Sequence, residues 1–374
     1  MKAALVALLV LAQDARETER ILRHSPLGKP PPDPTNALAD SPAAARLGQR
    51  LFFDARLSGD GMSSCASCHD PRLGFADGQP LPEKGARHVP ALVNLAWQRW
   101  FFWDGRVDSL WAQARQPIES PDELGGSREA LARLLALDPT LAREYEALLG
   151  ARAPDHEPVR VLANAGKALA AYLRRLESRD SAFDRYAAAL AKGDEEAMAA
   201  YPASARRGLS IFVGRGNCSL CHAGPNFSDA EFHDTGLAPL GGGKLFDAGR
   251  MAGVEKLLAD PFNAAGAFSD ERDGERAREL ATLARGSGLW GQFKTPTLRS
   301  VALSPPYMHQ GQLATLRDVV RFYSTLEGGV PAGHHREQVL KPLELTEPEI
   351  DDLVAFLESL TGAPLPEELL RPVK

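Results

Sequence analysis

Cysteine is scarce in this chain of 374 residues, and all four cysteines lie in two short motifs. No cysteine is left over for a disulfide framework of the kind that staples small secreted domains. The chain also lacks a basic excess, since 43 Lys and Arg residues stand against 49 Asp and Glu residues and give a net charge of −6. Because charges of both signs are interspersed, the composition argues against a nucleic-acid partner and favours proteins or small molecules.

The N-terminus carries a short apolar run, from Ala3 to Ala12, directly after Lys2. The run is too short to span a bilayer, and its pattern is typical of a secretory signal peptide. We expect residues 1–15 to be a signal peptide that directs the protein to the periplasm, with no membrane span after processing. A core helix or a membrane tether is the alternative. The Pro-rich stretch over residues 16–34 predicts an extended lead-in without a core of its own.

The four cysteines form two Cys-x-x-Cys-His pentapeptides, at residues 65–69 and 218–222. This spacing lets two thiols form thioethers to one porphyrin edge while the adjacent histidine points its imidazole at the iron. A thioredoxin-like dithiol or a four-cysteine zinc site would leave both histidines without a role, and zinc would have to join distant parts of the chain. The sequence therefore predicts two covalently bound haem c groups, which are held by Cys65, Cys68, Cys218 and Cys221 and ligated by His69 and His222.

Matching helical patterns flank the two pentapeptides. A Gly-x-x-x-Phe pattern precedes each one, within Ala45–Phe52 and Ala205–Phe212, and places the glycine and the aromatic ring on one helix face. Amphipathic patterns follow at Ala168–Ser178 and Asp352–Gly362. This order resembles the class I cytochrome c fold and occurs twice. We therefore predict a mainly α protein made of two fused class I cytochrome c-like haem domains.

The two predicted domains divide the mature chain near its middle. We assign residues 35–195 to an N-terminal domain and residues 196–374 to a C-terminal domain, with a linker near Gly193. Gly-rich segments such as 236–243 are predicted loops, and the sequence contains no strong run of alternating strands.

The ligand on the far side of each iron decides between an enzyme and an electron carrier. A haem that only transfers electrons usually has six ligands, whereas a haem that activates peroxide keeps an open position. The segment from Asp70 to Arg87 contains neither histidine nor methionine, and Met62 precedes the attachment site, where the chain is confined to the haem edge. His88 is the other nearby candidate. The first haem therefore has no obvious second ligand.

The segments Trp100–Gln113 and Glu119–Glu123 resemble the family of bacterial dihaem cytochrome c peroxidases and MauG. Phe293–Arg299 and Pro306–Gly311 extend the resemblance through the second domain, so that it covers about Leu47–Leu360. It implies a periplasmic enzyme that reduces hydrogen peroxide in its N-terminal, peroxidatic domain and transfers electrons through its C-terminal domain. The electrons would come from a small donor, from a protein such as a small cytochrome c or a cupredoxin, or from an oxidisable protein substrate.

The resemblance implies roles for three residues at the first haem. Trp103 would relay electrons between the haems, Glu123 would carry a proton between the two oxygens of peroxide, and Gln113 would orient the peroxide. Without the resemblance, Trp103 reads as core packing. Glu123 then reads as a solvated charge in an acidic loop that also holds Glu119 and Asp122.

At the second haem, the resemblance points to Tyr323 as the far ligand. Leu316, Val319, Val320 and Tyr323 fall on one helical face, which by itself indicates a core tyrosine. Family members that need reductive activation carry methionine at the matching place, whereas MauG-like members carry tyrosine. Met308 is the rival in this chain. Since a phenolate favours high oxidation states, the resemblance implies a MauG-type state with both irons at Fe(IV).

The loop over residues 76–85 lacks the histidine that leaves the first haem on reduction in other family members. The resemblance thus implies a protein that is ready to react in its diferric state. Two competing hypotheses stay open. One is a dihaem cytochrome c peroxidase that needs reductive activation, and the other is a non-catalytic dihaem electron-transfer cytochrome.

The remaining charged candidates lie around the haems and the domain interface. The resemblance implies that His309 lies near the second haem, where it is a candidate for binding a propionate, and Arg106, Arg250 and Arg299 are further candidates. A charge at the domain interface is the alternative role for each of them. The resemblance also implies an interdomain calcium ion, but His88 stands where the family has asparagine, and calcium prefers oxygen ligands. His88 is therefore expected to pack or to form a hydrogen bond at the interface, while calcium remains an open alternative.

No role is predicted for His24, His334 or His335. Residues 214–217 lack the tryptophan through which MauG draws electrons from its protein substrate. Tryptophan-derived cofactor synthesis on methylamine dehydrogenase is therefore not implied.

Overall fold

The computed structural model of the chain describes residues 15–80, 87–238, 240, 247–330 and 337–374. The predicted signal peptide, apart from residue 15, lies outside the described residues, and so do His334 and His335. Parts of two predicted loops, 76–85 and 236–243, also lie outside them.

Helices dominate the described chain, which confirms the predicted mainly α class. In chain order the helices are α1 (residues 15–22), α2 (Pro42–Phe52), α3 (Cys65–Cys68), α4 (Leu110–Glu119), α5 (Arg128–Leu137), α6 (Pro139–Leu149), α7 (Pro158–Leu173), α8 (Ala182–Lys192), α9 (Glu195–Ala199), α10 (Ala203–Val213), α11 (Arg250–Ala259), α12 (Glu275–Thr282), α13 (Leu316–Thr325) and α14 (Glu347–Glu358). Two short strands, β1 (Phe232–His233) and β2 (Phe293–Lys294), pair antiparallel. Within the described ranges, no helix has the length and apolar character needed to cross a membrane.

Two helix pairs of the same design form the centres of the two halves. Helix α2 crosses α7 at Gly48, where a Cβ atom would lie 1.9 Å from the carbonyl oxygen of Ala168. Helix α10 crosses α14 at Gly208, where a Cβ atom would lie 1.9 Å from the carbonyl oxygen of Asp352. The glycine of each Gly-x-x-x-Phe pattern therefore lets two helix backbones touch. The predicted repeat of helices around the pentapeptides is confirmed.

Each helix pair builds its own hydrophobic core. The first core contains Leu47 on α2, Trp111 on α4 and Tyr172 on α7. The second core contains Phe212 on α10 and Phe356 on α14. All five side chains are almost completely buried. Burial of this kind stabilises the folded chain by roughly 1.5–3 kcal/mol per large apolar side chain.

Helix α8 packs with the second core rather than the first. Its residues Phe183 and Tyr186 are buried among the side chains of that core. The sequence places α8 in the N-terminal domain, residues 35–195, because Gly193 looks like a linker. The division at residue 195 stays a prediction, and the packing of α8 favours a boundary between α7 and α8.

The lead-in over residues 16–34 differs from the expectation. Residues 15–22 are helical, and Ile21 on this helix is buried in the second core. His24 is also buried, and its Nε2 lies 3.2 Å from the carbonyl oxygen of His222. The expectation of an extended segment without a core was wrong, because residues 15–22 form a helix whose apolar face packs into the second core.

Helices α7 and α14 end before the predicted residues Ser178 and Gly362. Beyond each helix the chain turns, and its carbonyl groups bond to the segment that follows the pentapeptide of the same half. The N–H of Asn94 donates to the carbonyl of Leu176 at 2.8 Å. In the second half, the N–H of Ser300 donates to the carbonyl of Leu360 at 3.0 Å. These long-range bonds replace the next helical turn, and an amphipathic pattern alone does not reveal them.

A further repeat lies in two turns that the sequence did not reveal as equivalent. One turn contains Trp103 and is closed by the β-bridge Phe101–Val107. The other contains His309 and is closed by the β-bridge Tyr307–Leu313. Each turn leads directly into a helix, α4 in the first half and α13 in the second. The two halves therefore share their turns as well as their helix pairs.

The close crossing of α10 and α14 predicts that Gly208→Ala destabilises the protein. Alanine usually gains about 1 kcal/mol over glycine inside a helix. Here its Cβ would clash with the backbone of α14, and overpacking of this kind costs roughly 1–3 kcal/mol. We expect urea denaturation to show a lower free energy of unfolding. Gly28→Ala is the control and should change little, because nothing lies within 4 Å of its Cβ position. Equal stability of both variants would contradict the crossing.

Candidate active site

One cavity of about 1290 Å³ is lined by residues of both halves. Its volume exceeds the roughly 300–1000 Å³ that is common for a site holding one ligand of drug size. The cavity is large enough for more than one flat prosthetic group. The pentapeptide residues that line it are Cys65, Cys68, His69, Cys218, Cys221 and His222.

The two pentapeptide histidines are oriented in the same way. The Nδ1 of His69 lies 2.9 Å from the carbonyl oxygen of Phe75, and the Nδ1 of His222 lies 2.9 Å from that of Phe227. In each ring, Nδ1–H donates to the carbonyl and Nε2 is left with its lone pair. Loss of hydration lowers the pKa of both histidines, so both rings are neutral. Two neutral imidazoles with a fixed Nε2 fit the role of proximal iron ligands.

The thiols do not fit the competing interpretations. Burial raises the pKa of Cys65 and of Cys218 to about 12. A redox dithiol needs a lowered thiol pKa, so the environment does not support a thioredoxin-like site. In the part of the chain that the structure describes, the four cysteines do not converge on a common metal position. Protonated thiols beside a cavity fit addition to the porphyrin edge.

Gln113 and Glu123 both line the cavity on the side of the first pentapeptide. Gln113 lies on α4, and Glu123 lies in the loop that follows this helix. Loss of hydration raises the pKa of Glu123, and the positive charge of Arg106 opposes this. Glu119, by contrast, holds a bidentate ion pair with Arg128 at 2.6 and 2.8 Å. An acid and an amide therefore face the same open space.

Trp103 connects the two halves at the cavity wall. Its indole Nε1–H donates to the carbonyl of His88 at 2.8 Å. Its own carbonyl accepts from the N–H of Lys294, also at 2.8 Å. A matching bond runs from the N–H of His88 to the carbonyl of His309 at 2.8 Å. The indole ring of Trp103 is therefore bonded within the first half, and the backbone carbonyl of Trp103 is bonded to the second half.

Tyr323 and Met308 both line the cavity in the second half. Tyr323 lies on α13, one face of which also brings Leu316 and Val319 to the cavity. Loss of hydration raises the pKa of the Tyr323 phenol. Met308 lies in the turn before the helix and has a left-handed backbone, with φ at 73°. The cavity brings both candidate ligands to the second half.

The three predicted propionate arginines lie in different surroundings. Arg106 lines the cavity, with its guanidinium 3.4 Å from the ring centre of Phe102. Arg299 also lines the cavity, but it forms a bidentate ion pair with Asp184 at 2.9 and 3.0 Å. Arg250 is buried outside the cavity lining, where it donates to the carbonyl of Gly105 at 2.6 Å. Protein groups therefore already bind Arg250 and Arg299.

His309, the fourth propionate candidate, lines the cavity and stacks on Phe293 with ring centres 3.9 Å apart. Burial lowers the pKa of His309 to about 4, so the ring is neutral near pH 7. A neutral imidazole can donate a hydrogen bond to a propionate, but it brings no charge.

The residues at the expected calcium position do not fit calcium. His88 is 4 % exposed, and its Nε2 has no hydrogen-bond partner among the described residues. The nearest carboxylate, on Asp77, lies 3.8 Å away, which is beyond hydrogen-bond distance. Calcium takes six to eight oxygen ligands, and an imidazole nitrogen cannot replace one of them well. The structure instead places His88 in hydrogen bonds at the interface through its backbone.

Arg87 is an interface residue that the sequence did not reveal. Its Nη1 lies 2.6 Å from a carboxylate oxygen of Asp104, and its Nε and Nη2 each lie 2.7 Å from the carboxylate of Asp247. Asp104 is almost completely buried, and the two cations Arg87 and Arg106 lower its pKa although burial alone would raise it. In the sequence, Arg87 looks like an ordinary surface charge, because its partners are distant.

His233 is a second residue that sequence reasoning missed. Its two ring nitrogens lie 2.9 Å from a carboxylate oxygen of Asp229 and 2.8 Å from one of Glu337. Because both nitrogens face carboxylates, the ring is an imidazolium, and the bond to Asp229 raises its pKa. These ion pairs tie β1 to Asp229, which follows the second pentapeptide, and to Glu337.

Comparison with known proteins places this geometry in a family. The family model described as di-haem cytochrome c peroxidase matches residues 42–192. The methylamine utilization protein MauG of Methylorubrum extorquens is 37 % identical over 336 residues, which cover 87 % of this chain and 80 % of MauG. Cytochrome-c peroxidase IdrP1 of Denitromonas iodatirespirans is 36 % identical over 354 residues, which cover 90 % and 86 % of the two chains. The chain belongs to the dihaem cytochrome c peroxidase and MauG family.

Solved structures agree with this membership. The diheme peroxidase BthA of Burkholderia thailandensis superposes with a TM-score of 0.68 and 27 % identity, over 89 % of this chain and 90 % of BthA. A MauG-like protein associated with microbial copper homeostasis superposes with a TM-score of 0.65 and 27 % identity, over 92 % and 96 % of the two chains. As a dihaem cytochrome c peroxidase family member, the chain is an oxidoreductase with two haem groups. Its reaction partners are hydrogen peroxide and an electron donor.

Proposed function

We propose that the chain is a periplasmic dihaem c-type peroxidase of MauG type, which reduces hydrogen peroxide with electrons from a protein or a small donor. The observation that carries this proposal is the asymmetry of the shared cavity. An acid and an amide, Glu123 and Gln113, face it in the first half, whereas Tyr323 faces it in the second. Side chains that do not ligate the iron leave it an open position, which suits the haem that reacts with peroxide. A phenol can fill the sixth position, which suits a haem that does not react.

The first haem is the proposed site of peroxide reduction. Cys65 and Cys68 would hold the porphyrin through thioethers, and His69 would ligate the iron. Glu123 would take a proton from the near oxygen of peroxide and deliver it to the far oxygen, so that water leaves. Its raised pKa suits a group that must both accept and release a proton. Gln113 would orient peroxide with its amide, which does not titrate at neutral pH.

The second haem is the proposed store of one oxidising equivalent. Cys218 and Cys221 would hold it, and His222 and Tyr323 would ligate its iron. An anionic phenol oxygen stabilises a high oxidation state, which supports a MauG-type state with both irons at Fe(IV). Trp103, which is hydrogen-bonded to both halves, would relay electrons between the two sites. Two electrons and two protons then convert one peroxide into two water molecules.

The donor and the compartment follow from the same proposal. Covalent haem attachment in bacteria generally takes place outside the cytoplasmic membrane, which supports the periplasm. A small cytochrome c or a cupredoxin is the proposed protein donor, and an oxidisable protein substrate is the alternative. Met308 beside the second haem would instead favour a peroxidase that needs reductive activation, and six ligands on both irons would favour an electron-transfer cytochrome.

The proton-transfer role predicts that Glu123→Gln slows the reaction of the diferric protein with stoichiometric peroxide. General acid–base catalysis is typically worth about 10²–10⁴-fold, so we expect a rate loss in that range by stopped-flow absorbance.

The matched control is Asp122→Asn, which removes a neighbouring carboxylate that also lines the cavity. It should change the rate by less than about tenfold if Glu123 is the only acid in this role. Equal losses in both variants would reject the assignment of Glu123. A wild-type protein that does not react before reduction would reject the MauG-type proposal.

The ligand assignment predicts that Tyr323→Phe changes the absorption spectrum of the second haem and prevents accumulation of the Fe(IV)/Fe(IV) state, because the iron loses its phenol oxygen. Met308→Leu is the matched control and should leave both properties unchanged. An unaltered spectrum in Tyr323→Phe, together with an altered one in Met308→Leu, would reassign the ligand to methionine.

A further inference from the structure

Lys294 brings a positive charge to the cavity without a carboxylate partner among the described residues. The side chain lines the cavity, and its Nζ donates to the amide oxygen of Gln98 at 2.9 Å. Loss of hydration lowers the pKa of Lys294 to about 8. A cation that is removed from water and not paired with an anion is unfavourable, so an ammonium in this place indicates that an anion belongs beside it.

The backbone around Lys294 fixes where its side chain begins. The N–H of Lys294 donates to the carbonyl of Trp103 at 2.8 Å, and the N–H of Thr295 donates to the carbonyl of Glu231 at 2.9 Å. Lys294 also lies opposite Phe232 in the strand pair. The lysine starts from the second half and reaches across the boundary, because Gln98 belongs to the first half.

The internal repeat supplies an independent observation. His88 occupies the equivalent place in the first half, since its N–H donates to His309 as the N–H of Lys294 donates to Trp103. His88 also lines the cavity, and its buried Nε2 has no hydrogen-bond partner in the described part of the chain. Each half thus presents, at the same position of the repeat, a nitrogen donor that the protein does not satisfy with an anion.

All three arginines that the sequence offers for propionates already contact other protein groups, and Arg106 is paired with Asp104 at 3.2 Å. The guanidinium of Arg299 is paired with Asp184, and Nη1 of Arg250 donates to the carbonyls of Asp104 and Gly105. A carboxylate group entering the cavity would find those two cations already bound by protein groups. The ammonium of Lys294 would be free to exchange one amide contact for an ionic one.

We propose that Lys294 binds a propionate of the second haem. Strand β2 pairs with β1, which follows the second pentapeptide, and Pro296 lies against His222 two residues beyond the lysine. The inference rests on the proposed two-haem function and adds a cofactor-binding residue to it. The positive charge of an ammonium beside the propionate disfavours ferric iron more than ferrous iron, because ferric iron carries one more positive charge. It therefore raises the midpoint potential of that haem.

The test is a redox titration of the holoprotein in which each haem is followed by its own absorption bands. In Lys294→Met the midpoint potential of the second haem should fall, and in Lys294→Arg it should stay near the wild-type value. Lys294→Gln keeps a hydrogen-bond donor without the charge and should show the same fall as the methionine variant. Lys192→Met removes the same charge from the exposed end of α8 and should change neither potential.

Haem content, measured on every variant, separates failure of this inference from failure of the proposed function. Two haems per chain with both potentials unchanged in Lys294→Met would overturn the role of Lys294 and leave the peroxidase proposal standing. A shift confined to the first haem would also overturn the assignment. A wild-type protein matured in a haem-attaching host that carries no covalent haem would instead overturn the proposed function.

Discussion

The geometry of the molecule depends on a reciprocal pair of backbone hydrogen bonds between its halves. Lys294 donates to Trp103, and His88 donates to His309, each at 2.8 Å. The donors and the acceptors occupy equivalent places in the two halves, so the pair follows the internal repeat. Because all four residues line one cavity, the two bonds join the halves at the cavity wall and fix the backbone of Trp103 there. The ion pair of Arg87 with Asp247 reinforces the same boundary.

The two halves carry different residues at two equivalent positions of the repeat, and these differences distinguish the two proposed haem sites. The helices α4 and α13 begin after equivalent N-caps, Ser109 and Thr315. The fourth residue after the cap is Gln113 in the first half and Val319 in the second. The eighth residue after the cap is Pro117 in the first half and Tyr323 in the second. One helix therefore presents an amide to the cavity, and the other presents a phenol, although both helices begin after equivalent caps.

The sequence predicts the haem attachment sites because their residues lie close together in the chain. It does not predict the contacts between the two halves, because those join residues that are far apart in the chain. The pentapeptides and the glycine at each helix crossing follow from short spacings, so they could be read directly. His24, Arg87 and Lys294 matter through partners more than fifty residues away, and each looks ordinary in its own segment. The resemblance to a family supplied Glu123 and Tyr323, which composition and periodicity alone would have treated as a surface charge and a core residue.

The central claim is that two similar halves hold two differently ligated irons. Electron paramagnetic resonance of the diferric holoprotein, recorded as isolated and without reductant, tests it most directly. The account predicts one high-spin and one low-spin ferric signal in equal amounts, because the first iron keeps an open face and the second is closed by a phenol oxygen. Two low-spin signals, with no change on addition of peroxide, would contradict it.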